Sequence, residues 1–415
     1  MLVKVAQNGT ENGLLQVNVT DNNNIPVKGA KVVLFDGEGN EIDTLETNDS
    51  GQTEKILLNA PDIELSLDEN STERPYSVYG VEISAPGYET EKINGSEILP
   101  DVLSIQNVRL RRGNLGTEDI IIGDHTLYGE YPPKIPEDEV KELNEPGEIV
   151  LSRVVVPEYV VVHDGTPNSN AKDYYVTYRD YIKNVASSEI YATWPRAALE
   201  ANILAIMSFT LNRVYTEWYR NKGKDFTITS STAYDQKWIY GRNVFESISE
   251  VVDDIFNQYL SRPDLRQPLL TQYCDGKRVT CPNWLSQWGS CNLAERGYSA
   301  IGILRYYYGN DIYINTAEQI SGIPASWPGY NLTIGSTGQK VAQMQEQLAT
   351  IAKVYSAIPR IAVDGIYGER TKEAVSKFQE IFDLGVTGVV DFATWYQISQ
   401  IYVGITRLAE GIPRG

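Results

Sequence analysis

Residues that bind metals are scarce in this chain, which has two histidines and three cysteines among 415 residues. Three cysteines are too few, and odd in number, for a disulfide framework. The spacings between Cys274, Cys281 and Cys291 form no Cys-x-x-Cys pair, and the only histidines are His125 and His163. We therefore expect neither a metal centre nor a cofactor.

Long apolar runs are also missing. No stretch approaches the roughly 20 apolar residues that a membrane span needs, and residues 1–10 lack the apolar core and small-residue cleavage site of a signal peptide. We expect a protein without membrane contact that is made without a recognisable signal peptide. The hydrophobic share of 42% is ample for buried cores, and the length predicts two to four domains.

An excess of positive charge is absent as well. The first 150 residues hold 11 Lys and Arg against 29 Asp and Glu, a net charge of −18, whereas the remaining residues hold 25 against 26, a net charge of −1. Without a basic stripe the chain cannot displace the counterions of a phosphate backbone, which excludes nucleic acid as a partner. The asymmetry predicts a separate task for the N-terminal third.

Short segments of alternating apolar residues run from Leu14 to about Leu110, separated by turn residues. Leu15, Val17 and Val19 form one such segment, and residues 31–35 form another. This period of two predicts a β-sandwich over residues 1–112. With Pro-Gly-Tyr at residues 86–88, the pattern resembles the carboxypeptidase-regulatory-like sandwich, which implies an architecture and no particular chemistry.

Two segments without a sustained apolar period divide the rest of the chain. Residues 113–150 are rich in Gly, Pro and Glu, and residues 317–331 are rich in Ser, Gly and Pro. Both are predicted to be linkers. They separate the sandwich from a central domain at 151–316 and from a C-terminal domain at 332–405, which gives a multidomain α+β fold.

Two helical patterns flank one carboxylate of the central domain. Residues 181–190 predict a helix that ends near Glu189, and a second helix starts at Thr193-Trp194-Pro195, with Thr193 as its candidate N-cap, and continues towards Gly223. A carboxyl group between apolar helices tends to have a raised pKa, as a general acid requires. Alternatively, Glu189 caps the next helix or lies exposed on a turn.

The central domain carries four motifs in order between residues 181 and 308. They are Tyr-Ile-x-Asn-Val-Ala-Ser-Ser-Glu-Ile-x-x-x-Trp-Pro from 181, Ala-Tyr-Asp-Gln-x-x-x-Tyr-Gly from 233, Leu-Ser-Gln-Trp-Gly-Ser from 285, and Gly-Tyr at 297 followed by Ile-Leu-x-Tyr-Tyr-Tyr from 303. This set resembles the SpoIID/LytB family, whose catalytic glutamate falls on Glu189. The stretch 277–284 departs from the family because it has no histidine, which weakens any expectation of metal binding.

The C-terminal domain shows three helical patterns joined by glycine turns. Val341, Met344, Leu348 and Ile351 share one helical face, a second helix places Ala374 to Phe382 together, and a third holds Trp395 and Ile398. The order resembles the three-helix peptidoglycan-binding domain of cell-wall hydrolases. The resemblance implies a tether to glycan, although the glycines at 365 and 368 also suit ordinary turns.

The combination of these domains resembles clostridial spore cortex-lytic enzymes of the SleC type. Those are zymogens of lytic transglycosylases that cleave cortex peptidoglycan during germination, which implies a spore location in the coat and cortex region. Such a reaction needs one carboxyl group, here Glu189, to protonate the glycosidic oxygen and then activate the muramic C6 hydroxyl. The products have 1,6-anhydromuramic ends.

Neutral dipoles must then stabilise the oxocarbenium-like transition state. The candidates for this substrate-binding role are Ser286, Gln287, Gln272, Tyr273 and Tyr240, and core packing is the competing role for the last three. A first alternative function is a muramidase-type hydrolase that uses Asp235 as second carboxylate. A second is a non-catalytic peptidoglycan-binding module that enhances a partner amidase.

The cysteines and His163 have ordinary structural interpretations. Buried thiols are the favoured state of Cys274, Cys281 and Cys291, ahead of a Cys274–Cys281 disulfide and a structural zinc. His163, which follows an apolar run beside Asp164, is expected to be a strand-end histidine and no catalytic base.

The acidic N-terminal third fits a removable inhibitory prosegment, because exposed linkers are preferred sites of proteolysis. The SleC resemblance implies that a subtilisin-like germination protease makes this cut. We expect it between Gly113 and Val155, near Glu148 to Leu151, with the sandwich or linker covering Glu189 beforehand. The competing prediction is a sandwich that serves only as a spacer or coat anchor.

Overall fold

The computed structural model describes residues 3–4, 11–113, 116–141, 150–324 and 326–406. The N-terminal part is built of strands with one short helix, as its period of two predicts. The elements are β1 (Val3–Lys4), β2 (Glu11–Asp21), β3 (Lys31–Phe35), β4 (Glu41–Glu46), β5 (Ile56–Ala60), α1 (Glu64–Leu67), β6 (Ser77–Ser84), β7 (Thr90–Ile98), β8 (Leu103–Leu110) and β9 (Thr117–Ile121).

These strands form two five-stranded sheets, β4-β3-β6-β7-β9 and β1-β5-β2-β8, the latter completed by a strand of the central domain. Leu15, Val17 and Val19 of one sheet share a buried core with Val32 and Val81 of the other. A shared core between two sheets is a β-sandwich.

The central part alternates short strands and helices. It comprises β10 (Val155–Val156), β11 (Tyr159–His163), β12 (Asp173–Thr177), α2 (Tyr178–Glu189), α3 (Arg196–Tyr215), β13 (Ile228–Thr229), β14 (Val244–Phe245), α4 (Glu246–Ile255), β15 (Gln258–Ser261), β16 (Tyr273–Cys274), β17 (Leu285–Ser286), α5 (Gln287–Glu295), α6 (Ala300–Tyr308), β18 (Tyr313–Thr316) and β19 (Gln319–Ile320).

Helix α3 is the centre of this part, because it is apolar on all sides and contacts α2, α4, α5, α6 and β15. It begins at Arg196, so the candidate N-cap Thr193 is wrong: the Thr193 hydroxyl instead shares a 2.7 Å hydrogen bond with Ser66 of the sandwich. It ends at Tyr215, where Thr216 caps it, and so stops short of Gly223.

The C-terminal part consists, in its described residues, of α7 (Gln339–Ile351), α8 (Glu369–Ile381) and α9 (Phe392–Thr406). A buried glutamine on each of the first two helices fixes the loop that follows. The amide oxygen of Gln345 accepts from Gly365 N (2.8 Å), and that of Gln379 accepts from Gly388 N (2.8 Å). Both glycines have positive φ, which supports their role as turn-formers.

The three parts are packed together. Strand β14 pairs with β8 and so extends a sandwich sheet into the central domain. Phe256, at the end of α4, packs on the rings of Phe392 and Tyr396 of the C-terminal domain at 5.3 Å. Gln52 Nε2 of the sandwich donates to the Ile381 carbonyl (2.9 Å). Among the described residues, no helix is long and apolar enough to cross a membrane.

Candidate active site

Glu189 is the last residue of α2 and has no exposed surface. Its Oε1 accepts a hydrogen bond from the backbone N–H of Lys237 (2.7 Å), and its Oε2 lies 2.5 Å from the hydroxyl of Tyr273. The alternative of an exposed turn position is therefore wrong. The carboxyl group is held by two fixed donors inside the domain.

Burial raises the pKa of Glu189, because the charged form loses its hydration. The positive charge of Lys134, the Tyr273 hydroxyl and the Lys237 backbone act in the opposite direction without cancelling this effect. A raised pKa favours the protonated form, which is the form that a general acid needs.

Ser286 and Gln287 lie where α5 begins, next to Glu189. The amide Nε2 of Gln287 donates to the backbone carbonyl of Glu189 (3.2 Å), and its Oε1 is buried with no partner among the described residues. Ser286 caps α5, its Oγ accepting from Gly289 N (3.0 Å). The structure thus brings Gln287 into contact with Glu189 and places Ser286 one residue before Gln287, in a helix-capping position.

Tyr273 and Gln272 also reach the site, through β16. Tyr273 is fully buried and bonds Glu189 directly. The Gln272 side chain is occupied by the chain segment around residue 136: its Oε1 accepts from Glu137 N (2.9 Å) and its Nε2 donates to the Ile135 carbonyl (2.8 Å). Gln272 is therefore bound to protein and closed to other ligands in this structure.

Asp235 has a different role from the one predicted. Its Oδ1 accepts from Arg213 Nε (2.8 Å), and its Oδ2 accepts from Thr229 N (2.9 Å), Thr229 Oγ1 (2.6 Å) and Tyr219 OH (2.7 Å). The carboxylate is fully buried, and both of its oxygens already accept hydrogen bonds from protein donors. Asp235 instead holds the loop that follows β13.

Tyr240 is not brought to Glu189. Its ring stacks on Tyr174 at 4.8 Å and packs against the core of the sandwich. This places the side chain at the junction of two domains, which agrees with the competing interpretation of core packing.

Residues 124–141, which we term the strap, run across the site. At its start, Thr126 donates through both its N–H (3.1 Å) and Oγ1 (2.9 Å) to the carbonyl of Ser188, the residue before Glu189. Arg278 donates to the carbonyls of Thr126 and Gly129. The segment for which the sequence predicts a linker is thus, in its described part, attached to the central domain.

The middle of the strap reaches the candidate acid. Lys134 is buried, donates to the backbone carbonyl of Asp235 (2.8 Å) and lies 4.3 Å from the centre of the Tyr273 ring. Its positive charge acts on Glu189, whereas its own pKa is lowered by burial. Tyr131 is buried nearby, and its hydroxyl finds no partner among the described residues.

The end of the strap is held by ion pairs. Glu137 accepts two hydrogen bonds from the buried guanidinium of Arg213 (2.5 and 3.1 Å) and one from Lys141 Nζ (2.7 Å). Glu139 accepts two from Arg262 (2.7 and 2.9 Å). Bidentate arginine pairs of this kind fix the geometry strongly.

Sequence reasoning missed Lys134, Tyr131 and Arg278. The first two lie in a proline-rich segment without periodicity, and no local pattern signals that it folds against a site formed elsewhere. Arg278 lies in the stretch 277–284, which drew attention only because it lacks histidine.

The cysteine prediction is corrected by the structure, since Cys274 and Cys281 form a disulfide and Cys291 is a free, buried thiol. The pairing of β16 with β17 and the short loop between them hold the two cysteines within bonding reach, with a Cα separation of 5.6 Å. No group of three metal-binding side chains occurs in the described part of the chain.

His163 ends β11, as the sequence predicts. Its Nδ1 lies 2.7 Å from Asp173 Oδ1, and its Nε2 lies 3.2 Å from both the Ser169 carbonyl and Oγ. The Ser169 hydroxyl donates to the Thr166 carbonyl. These contacts close the loop between β11 and β12, which agrees with a structural histidine.

Two family models match the chain. Residues 170–260 match "Stage II sporulation protein" (SpoIID), and residues 337–398 match "Putative peptidoglycan binding domain". The first contains Glu189, the strand β12 and the helices α2, α3 and α4. Together the matches support a lytic or binding role on the cell wall in sporulation.

Three similar proteins cover parts of the chain. It is 23% identical over 263 residues to the N-acetylmuramoyl-L-alanine amidase CwlL of Bacillus licheniformis, covering 62% of this chain and 68% of the relative. The chain is 34% identical over 76 residues to the zinc D-Ala-D-Ala carboxypeptidase of Streptomyces albus G, and this match covers 18% of the chain and 28% of the relative. The SleB N-terminal domain is 26% identical, with 19% of this chain and 99% of that chain covered and a TM-score of 0.17.

Proposed function

We propose that the protein is the zymogen of a lytic transglycosylase that cleaves spore cortex peptidoglycan during germination, as SleC-type enzymes do. The observation that carries this proposal is the buried Glu189, whose pKa is raised and which is bonded to Tyr273. Asp235, the second carboxylate considered from the sequence, is fully engaged by other groups. A single available carboxyl group suits a reaction that needs one proton donor and no second carboxylate.

In the proposed reaction, protonated Glu189 donates to the glycosidic oxygen as the bond from that oxygen to the muramic C1 breaks. The carboxylate then takes the proton of the muramic C6 hydroxyl, whose oxygen bonds to C1 and closes the 1,6-anhydro ring. No water is consumed. The Lys237 N–H and the Tyr273 hydroxyl stabilise the carboxylate between the two steps.

Neutral groups next to Glu189 would stabilise the positive charge that develops on the sugar. The unpaired Oε1 of Gln287 is one such dipole, and the Gln272 amide becomes another once the strap leaves. The C-terminal domain would tether the enzyme to glycan and raise the substrate concentration near the cleft.

The strap supports the proposed zymogen state, because Glu189 has no exposed surface while the strap is bound and substrate would need access to it. A subtilisin-like germination protease would cut between the strap and β10. Of the expected positions, Glu148 and Ile149 lie outside the described residues, whereas Leu151 is described and donates its N–H to the Tyr215 carbonyl (3.0 Å).

The muramidase alternative is disfavoured by the complete bonding of Asp235. The enhancer alternative retains one observation in its favour, which is the likeness to the amidase CwlL over 263 residues. It predicts that the processed protein alone releases no soluble muropeptides from sacculi.

Glu189→Gln in processed protein is expected to lower cleavage of cortex sacculi on the order of 100-fold, because the amide keeps the shape and cannot donate the proton. The measurement is the rate of muropeptide release, with sacculus binding and thermal unfolding recorded alongside. Glu200→Gln, on the partly exposed surface of α3, is the matched control. Activity of Glu189→Gln within about threefold of the parent would remove Glu189 from the mechanism.

A further inference from the structure

An open cavity of about 380 Å³ lies between the loop that joins β16 to β17 and the end of helix α6. Its lining includes Thr280, Asn283, Trp284, Ser286, Tyr306 and Tyr307. None of its lining residues belongs to the strap. Ligand sites commonly have volumes of about 300 to 1,000 Å³ and combine aromatic walls with a few polar groups, as this cavity does.

Two glycines allow the cavity-lining hydroxyls of Ser286 and Tyr307 to approach the backbone. A Cβ at Gly276 would collide with Ser286 Oγ, and a Cβ at Gly289 would collide with the Tyr307 hydroxyl. Gly276 also has a φ of +80°, which disfavours other residues. The Ser286 and Tyr307 hydroxyls can approach the backbone this closely only because both positions lack side chains.

One wall of the cavity is an exposed aromatic pair. Tyr306 is 65% exposed, and its ring meets Tyr307 edge-on at 5.0 Å. Tyr306 contributes little to the core, so its exposed ring face is available to an apolar surface of a ligand. The apolar face of a sugar ring fits such a surface, and Thr280, Asn283 and Ser286 offer partners for hydroxyl and acetamido groups.

The cavity is connected to the candidate acid through the chain itself. Ser286 lines the cavity, and its neighbour Gln287 donates to the Glu189 carbonyl. On the other side, Leu285 pairs with Tyr273, whose hydroxyl bonds Glu189. The Cys274–Cys281 disulfide closes the loop that forms the rim.

We propose that this cavity is a binding subsite for an N-acetylated sugar of the glycan strand and that it accepts glycan while the strap still covers Glu189. The zymogen is then already seated on its substrate when the activating cut occurs. This inference rests on the proposed function, because it assumes that peptidoglycan glycan is the substrate.

The test uses full-length protein carrying Glu189→Gln and fluorotryptophan, with tri-N-acetylchitotriose as the probe. The fluorine resonance of Trp284 is assigned by its loss in Trp284→Phe. We expect the probe to shift this resonance saturably. Tyr306→Ala should weaken the binding at least about fivefold through loss of the stacking surface. Tyr175→Ala, which removes a ring that is 62% exposed elsewhere on the domain, should change the binding affinity for the probe less than about twofold.

The inference is overturned if the Trp284 resonance does not respond, if Tyr306→Ala behaves like the control, or if free stem peptide shifts the resonance and the sugar does not. Cleavage by the processed enzyme is measured separately. If the sugar binds near Trp284 but the processed protein never cleaves glycan, the proposed activity is wrong and the sugar site stands. If the processed protein cleaves glycan but the sugar does not bind near Trp284, the sugar site is wrong and the proposed activity stands.

Discussion

Two opposing effects act on the carboxyl group of Glu189. Burial disfavours its charged form, while Tyr273, Lys237 and Lys134 favour it. Lys134 belongs to the strap and would leave with it in the proposed activation, whereas Tyr273 and Lys237 belong to the central domain. Tyr273 is the central-domain side chain that lowers the pKa of Glu189 through a direct hydrogen bond.

Tyr273→Phe in processed protein should raise the pKa of Glu189, because the carboxylate loses a hydrogen-bond donor. Activity that needs protonated Glu189 falls as the pH rises through this pKa, so the alkaline limb of the pH–rate profile should move up by about one unit. Tyr181→Phe, which removes a buried hydroxyl bonded to Gln236 (3.0 Å), is the control and should leave the limb in place. An unchanged limb in both variants would mean that Tyr273 does not act on the acid.

At the scale of elements, the proposed function assigns to the strap the task of covering the site. Its hydrogen bonds and ion pairs join it to Ser188, Arg213, Gln272 and Arg278, which come from four different places in the central domain. These contacts do not depend on the peptide bonds before and after the strap. The segment should therefore bind as a separate chain.

A synthetic peptide of residues 124–141 should inhibit processed enzyme in a saturable way. Glu137→Ala in the peptide should weaken inhibition about tenfold or more, because Arg213 then stays buried with one carboxylate partner fewer. Glu130→Ala, at an exposed position, is the matched control peptide and should inhibit like the parent. Inhibition constants from muropeptide release measure this, and a peptide without effect would show that the strap does not block the site.

The loop between β16 and β17 contains Arg278, which bonds the strap, and is closed by the Cys274–Cys281 disulfide. In denatured protein kept free of reductant, a thiol reagent should therefore detect one thiol, that of Cys291. In denatured and reduced protein it should detect three. Native protein should react more slowly than either, since Cys291 is buried. Three thiols without reduction would restore the prediction made from the sequence.

The extent to which the sequence predicts these elements depends on the range of their contacts. Helices α2 and α3 follow from local apolar periods, which place Glu189 between them but leave open whether it is buried. The strap has no such period, and its course is set by partners such as Arg213 and Gln272, which lie 76 and 135 residues away from Glu137. The state of the cysteines likewise depends on a strand pairing that spacing alone does not specify.

For the whole molecule, cutting one bond after the strap does not by itself remove the N-terminal third. The sandwich remains joined to the central domain through the β8–β14 pairing, the buried ion pair of Glu97 with Arg242 (2.5 Å) and the hydrogen bond from Trp194 to Ser66 (2.9 Å). Burial raises the pKa of Glu97 to about 6 despite Arg242. In the proposed activation, the cut would therefore have to be followed by dissociation of the N-terminal third.

The most direct test is mass analysis of the muropeptides that three preparations release from purified cortex sacculi. These are full-length protein, cut protein that retains residues 1–149, and cut protein from which this fragment has been removed. The last should release products with 1,6-anhydromuramic ends, one water lighter than reducing ends, at a rate far above that of the full-length chain. Products with reducing ends, or equal rates for the full-length and fragment-free proteins, would contradict the account.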